Sequence, residues 1–192
     1  MKDSSHPEFW NERYASNRML WDFGGIPSIL FDFLGRTPPG RVLIPGCGTG
    51  YEVQAFARFR WQVDAVDFSP EAVRRAKEFL GKDDFCVRQA DFFEEEPERP
   101  FDLVYERTFL CSLPKNLWPL YSAQISQALR SGGCLAGFFF FGPEPDPPPY
   151  PLGSDELAAL LGPKFVRVED SSVSDSLPLF QNKERWQVWK ME

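Results

Sequence analysis

From Val42 to Gly50 the chain reads Val-Leu-Ile-Pro-Gly-Cys-Gly-Thr-Gly, an apolar strand that runs straight into alternating glycines at 46, 48 and 50. Glycines leaving a parallel strand allow a tight turn and let a ligand come close to the backbone. Two classes of nucleotide cofactor use such a turn. A dinucleotide site calls for glycines at 46, 48 and 51, which bring a pyrophosphate to the next helix N-terminus. Here position 51 is Tyr51 and the third glycine is Gly50. That spacing matches the turn for S-adenosylmethionine, which has no phosphate to cradle. A glycine turn that binds nothing is the plain alternative.

Two aspartates extend the pattern. Asp67 closes the next apolar segment, Val63–Val66. A carboxylate there can accept hydrogen bonds from both ribose hydroxyls, or it can cap the helix that starts at Ser69. Asp91 follows a third short apolar segment, with Phe92 beside it. An aspartate there can accept from an adenine amino group while an aromatic side chain flanks the ring.

The elements that must hold these residues alternate in type. Val42–Ile44, Val63–Val66, Phe85–Val87 and Phe101–Tyr105 read as strands. Between them lie a helix from about Glu52 to Arg60 and one capped by Ser69 with Pro70 in its first turn. In the latter, Val73, Ala76 and Leu80 form the apolar face, with Arg74, Arg75 and Lys77 toward water. A helix is expected over 116–130, closed by Gly132-Gly133, then a doubly covered strand over 135–141. A proline-rich loop, 142–151, precedes a helix near 154–161. Two last strands, Phe165–Glu169 and Arg185–Lys190, can pair antiparallel at the sheet edge. Strand–helix alternation implies parallel strands with right-handed crossovers, hence an α/β fold. Ahead of this core, 9–34 reads as helical pieces rich in aromatics, broken by Gly24-Gly25-Ile26-Pro27.

Composition narrows the partners. The chain has 192 residues and a formal charge of −7, which disfavours nucleic acid, since such binding requires neutralising phosphates. Its longest apolar run, Cys134–Phe141, is too short to span a bilayer, so no membrane partner is expected. No signal segment opens the chain, and Cys47, Cys86, Cys111 and Cys134 contain no CxxC pair. A reducing cytoplasm fits this usage. With one histidine, His6, metal chemistry is not expected.

Together with the amino-terminal aromatics, Val42–Gly50 and the segment Phe101-Asp102-Leu103-Val104-Tyr105-Glu106-Arg107-Thr108-Phe109-Leu110-Cys111 resemble the thiopurine, thiol and halide methyltransferase family. The likeness runs over almost the whole length. Class I methyltransferases generally carry an acidic residue two places before the first glycine; Ile44 and Pro45 stand here, the variant this family resembles. The resemblance implies a Rossmann-like class I methyltransferase: an α/β fold with a mostly parallel seven-stranded sheet, helices on both faces and an antiparallel edge strand. The length suits one domain over 1–192, with 1–40 as an aromatic lid and 41–192 as the core, and a monomer is expected.

The same resemblance implies S-adenosyl-L-methionine as cofactor. Trp10, Tyr14 and Trp21 would pack on its sulfonium and methionine portion, as aromatic faces can with a cation. Tyr14 stands where many members have tryptophan. Gly46, Gly48 and Asp67 would also touch the cofactor, with Asp91 and Phe92 near adenine and Arg107 at the boundary with the acceptor. Pro148-Pro149-Tyr150 resembles a segment that lies over the acceptor in halide and thiol members, which makes Tyr150 an acceptor contact. Methyl transfer needs alignment and a dry site more than acid–base chemistry. No general base is evident, although Asp22, Glu106 and Arg107 could orient an acceptor. The expected acceptor is a small molecule with a soft nucleophile: a thiol, thiopurine, hydrosulfide or halide. A metalloid or oxygen acceptor, or a non-catalytic cofactor-binding regulator, is the alternative.

Overall fold

Strand β1, Arg41–Pro45, starts as soon as Pro38-Pro39-Gly40 ends the preceding helix. In the computed structural model, which describes residues 3–96 and 99–192, seven strands form one sheet. The others are β2 (Gln62–Asp67), β3 (Val87–Gln89), β4 (Phe101–Arg107), β5 (Leu129–Phe140), β6 (Phe165–Ser172) and β7 (Glu184–Met191). Their order is β3-β2-β1-β4-β5-β7-β6. The pairs β1–β2, β2–β3 and β4–β5 are parallel, whereas β7 runs antiparallel to both β5 and β6. The antiparallel pairing therefore lies at the expected edge.

The chain divides into two compact units, Met1–Glu95 and Glu96–Glu192. In the first, α1 (Pro7–Ala15) and α2 (Ser28–Arg36) precede β1; α3 (Tyr51–Arg58) and α4 (Pro70–Leu80) follow β1 and β2. Helix α4 shows how sequence sets an end. The Ser69 hydroxyl accepts the Ala72 N–H at 3.1 Å, Pro70 fixes the first turn, and Ala72, Val73, Ala76 and Leu80 are buried. Phe85 and Cys86 belong to a 3-10 turn rather than to β3, which begins only at Val87.

The second unit carries α5 (Trp118–Ala128) and α6 (Glu156–Leu161). Helix α5 is shorter than the expected 116–130. Pro119 lies in its first turn, residues 115–117 form a 3-10 turn, and Leu129 already belongs to β5. Its buried face includes Trp118, Tyr121, Ile125 and Ala128, while Leu120 is exposed. Gly133 does not end a helix. It lies within β5, where a Cβ would stand 2.9 Å from the Arg130 carbonyl and 3.2 Å from that of Asp102. Gly137, opposite Glu106 on β4, likewise keeps two backbones close, because a Cβ there would collide with the Glu106 carbonyl.

Candidate active site

In Met1–Glu95 the glycine turn is built by its backbone. Gly46, Gly48 and Gly50 have φ of 60°, 54° and 85°, a region L side chains seldom adopt. The Cys47 N–H donates to the Val66 carbonyl at 3.1 Å, which ties the turn to β2. Asp67 ends β2 beside it. One carboxylate oxygen accepts the Gly48 N–H at 3.1 Å, and the other accepts the Ser69 N–H at 2.9 Å. Burial raises this carboxyl to about 6, against the downward pull of those two donors. The two sequence readings of Asp67 are therefore compatible, because a carboxylate holding two donors can accept more.

The amino-terminal aromatics lie against the same turn. The Tyr14 hydroxyl stands 2.9 Å from where a Cβ on Gly48 would be. Trp21 packs edge-on against Trp10 and Tyr14, with ring centroids 5.2 and 5.8 Å apart. Burial and the nearby Asp67 push the Tyr14 phenol well up, so it stays protonated. Three polar ties that the sequence did not reveal hold this segment. The Ser69 hydroxyl donates to Asn11 Oδ1 at 2.6 Å. Arg75, instead of facing water, donates to the Tyr14 carbonyl and to Asn17 Oδ1, both at 2.6 Å. The Thr49 hydroxyl donates to Asp22 at 3.1 Å, and Asp22 also accepts the Gly24 N–H.

Asp91 and Phe92 stand next to the end of β2, since the Ala90 N–H donates to the Asp67 carbonyl at 3.1 Å. The Asp91 carboxylate accepts the Phe93 N–H at 2.9 Å and caps a single 3-10 turn, and Phe92 is buried. Trp10, Tyr14, Trp21, Gly46, Gly48 and Asp67 are thus gathered at the glycine turn, with Asp91 and Phe92 on the adjoining loop.

In Glu96–Glu192 the residues gather around the end of β4. Glu106 is only 1% exposed; its carboxylate accepts the Phe109 N–H at 2.7 Å, the Leu110 N–H at 3.1 Å and the Tyr121 hydroxyl at 2.9 Å. Burial raises Glu106 to about 7, opposed by those three donors. This clamp closes over Thr108, whose φ of 57° is costly for a β-branched residue. Arg107 turns its guanidinium toward Glu184, with Nη1 3.7 Å from Oε2, and lies over the Phe138 ring 4.2 Å from its centroid. The Tyr150 N–H donates to the Cys111 carbonyl at 2.6 Å, which pins the proline-rich loop to the segment after β4. Arg107 and Tyr150 thus both lie close to Cys111, whose thiol is pushed up by burial and then by Glu106 and Glu184, against the downward pull of Arg107. Glu184 carried no local sequence signal, because its partner lies three strands away along the chain.

A family model for thiopurine S-methyltransferase matches residues 5–192. The chain belongs to this family. Probable thiol methyltransferase 2 of Arabidopsis thaliana is 32% identical over 161 residues, covering 80% of this chain and 71% of that protein. Thiocyanate methyltransferase 1 of the same plant is 27% identical over 193 residues, covering 94% and 83%. Among solved structures, Burkholderia thailandensis 1,6-didemethyltoxoflavin-N1-methyltransferase with bound S-adenosylhomocysteine shares the fold at a TM-score of 0.75 and 22% identity. That match covers 96% of this chain and 86% of the other. As a thiopurine S-methyltransferase family member, the chain is an enzyme that takes its methyl group from S-adenosylmethionine. The α/β fold expected from the strand–helix alternation, and the class I methyltransferase sheet implied by the resemblance, are borne out, with seven strands in the order given above.

Proposed function

We propose that this methyltransferase acts on a small, soft nucleophile, namely a thiol, thiopurine, hydrosulfide or halide. The observation that carries the reading is the state of Glu106. The carboxyl nearest Arg107 in sequence is buried and held by Phe109, Leu110 and Tyr121, so it is a clamp and not an exposed base. The single histidine, His6, sits at the N-cap of α1. An alcohol would need more help than such residues give, whereas a thiol has a pKa of roughly 8.5 and supplies its own thiolate near neutrality.

In this reading the cofactor, when bound, supplies an electrophilic methyl group on a sulfonium. Asp67 accepts from the ribose hydroxyls, and Gly46 and Gly48 let the ligand approach the backbone. Asp91 and Phe92 flank adenine, and Trp10, Tyr14 and Trp21 present aromatic faces to the cation and exclude water. Arg107 and Tyr150 orient the acceptor, with Arg107 also reaching the cofactor. The aromatic faces already gathered at the glycine turn support these roles.

We read residues 1–192 as one methyltransferase domain, monomeric and cytoplasmic, with a small-molecule acceptor as its partner. The family match over 5–192 supports a single functional unit. Among the described residues no helix is long and apolar enough to cross a membrane, and the −7 charge argues against nucleic acid. The test is a panel of thiols, thiopurines, hydrosulfide, halides, phenols and carboxylic acids, followed by release of S-adenosylhomocysteine. Turnover confined to oxygen acceptors would refute the acceptor reading.

A further inference from the structure

Arg107, Phe138 and Trp186 are register partners across three adjoining strands. Arg107 on β4 pairs with Phe138 on β5, and Phe138 pairs with Trp186 on β7. The guanidinium lies over the Phe138 ring, and Phe138 packs edge-on against Trp186 with centroids 5.1 Å apart. Glu184, two residues before Trp186, brings its carboxylate to 3.7 Å from the guanidinium; the two side chains are 9% and 3% exposed. At that burial an ion pair is little screened by water or salt, so it governs what else the guanidinium can bind.

We infer that Glu184 is a positioning residue for Arg107, holding its guanidinium against β5 and competing with any anionic acceptor for its charge. The inference rests on the reading of Arg107 as an acceptor-side residue. A free arginine here would favour acceptors that arrive as permanent anions, such as thiocyanate or iodide, through charge-assisted hydrogen bonds. With Glu184 beside it, an anion meets a guanidinium already engaged and a carboxylate that repels it. An acceptor that enters uncharged, such as a thiol or thiopurine, meets neither obstacle on entry; it gives its proton to solvent, and its new S–CH3 bond forms as the S–CH3 bond of the cofactor breaks. Glu184 therefore biases the site toward neutral sulfur acceptors and away from halides and thiocyanate.

The test is calorimetric titration of thiocyanate into protein saturated with S-adenosylhomocysteine. Glu184→Gln keeps the shape and removes the charge, and thiocyanate affinity is expected to rise about tenfold, equal to about 1.4 kcal/mol. Glu184→Asp is expected to stay near wild type, and adding Arg107→Met to Glu184→Gln is expected to abolish the gain. In turnover, KM for thiocyanate falls by a similar factor in Glu184→Gln, while KM for a small thiol moves less than twofold. Unchanged thiocyanate affinity in a Glu184→Gln protein that melts like wild type overturns the inference, as does a gain that survives Arg107→Met. Glu184→Met is the second variant, and loss of the fold in both would make Glu184 a structural residue and equally overturn the inference. If wild type turns over neither thiols nor thiocyanate, the acceptor reading falls, but the anion titration still decides the role of Glu184.

Discussion

The Tyr121 hydroxyl donates to Glu106 at 2.9 Å inside the core, while the other carboxylate oxygen of Glu106 takes the Phe109 N–H at 2.7 Å. Through these bonds α5 is joined to the turn that ends β4, the turn that carries Arg107 and holds Thr108 at positive φ. Glu106→Gln offers one acceptor oxygen where two are used, and it turns an NH₂ group toward existing donors. The expected result is a loss of about 1–3 kcal/mol in denaturant unfolding. Acceptor KM should rise severalfold, with the affinity for S-adenosylhomocysteine little changed. Tyr121→Phe should lose less, because the two backbone N–H bonds to Glu106 remain. Equal damage to cofactor and acceptor binding in Glu106→Gln would mean a general loss of structure instead.

Stability should fall as pH rises from about 4 to 7. Asp67 and Glu106 are both raised by burial, to about 6 and about 7. A carboxyl whose folded pKa lies above its unfolded value binds the proton more tightly in the folded state. Its penalty is therefore absent below the unfolded pKa, near 4, grows through the window and is complete above the folded pKa. Each group costs of the order of 3 kcal/mol at pH 8, at about 1.4 kcal/mol per pK unit. Urea unfolding of the ligand-free protein at pH 5 and pH 8 measures the slope. Asp67→Asn and Glu106→Gln should each flatten it, and a wild-type protein more stable at pH 8 would reverse the sign.

Cofactor affinity should follow the ionisation of Asp67. Ribose hydroxyls can donate to the carboxylate, which favours its charged form, so binding releases a proton near pH 6. Affinity for S-adenosylhomocysteine should weaken as pH drops below 6. Titration in buffers of different ionisation enthalpy should reveal proton release at pH 6 that vanishes in Asp67→Asn. Asp67→Ala should bind about 1–3 kcal/mol more weakly, since it leaves hydroxyls unpaired. Identical affinity would place the ribose elsewhere.

The parts legible in sequence were those fixed by neighbours along the chain. Alternating glycines, Ser69 with Pro70, and the strand–helix alternation are local patterns, and they placed the turn, the cap of α4 and the parallel strands. Gly132-Gly133 signals termination equally well in a helix or in a crowded strand, so the end of α5 is not legible; the carbonyls of Arg130 and of Asp102 on β4 explain Gly133. Arg75 and Glu184 were illegible for the same reason. A charged residue on a helix face or at a strand start defaults to solvent, and only the fold brings Tyr14 to the one and Arg107 to the other.

The amino-terminal segment is expected to behave as a lid latched from α4. Asn11, Tyr14 and Asn17 are held by Ser69 and Arg75, and Trp10, Tyr14 and Trp21 form one aromatic group beside Gly48. Gly24, at φ 71° with open space where a Cβ would sit, suits a hinge. Hydrogen exchange between Trp10 and Trp21 should slow on adding S-adenosylhomocysteine. Arg75→Ala should speed that exchange in the free protein and weaken ligand binding a fewfold, with the exchange of β4 and β5 unaffected. Exchange that ignores the ligand in wild type would reduce the segment to static packing.

Tyr150 offers the cleanest separation of acceptor from cofactor. Its backbone N–H is fixed to the Cys111 carbonyl at 2.6 Å, and the loop is tied again by the Leu152 N–H to the Phe140 carbonyl at 2.9 Å. Neither bond involves the side chain, so replacing the ring leaves the loop anchored. Tyr150→Phe removes only the hydroxyl, and Tyr150→Ala removes the surface against which a flat acceptor would pack. If Tyr150 contacts the acceptor, Tyr150→Ala should lower kcat/KM for a thiopurine by about tenfold to a hundredfold, the usual value of losing a buried aromatic contact of about 1.4–2.7 kcal/mol. Tyr150→Phe should matter less for a thiopurine, and hydrosulfide, too small to stack, should be nearly indifferent to both. The dissociation constant of S-adenosylhomocysteine should move by less than twofold throughout. A loss in Tyr150→Ala that is the same for thiopurine and hydrosulfide would show that the residue shapes the loop and does not touch the acceptor.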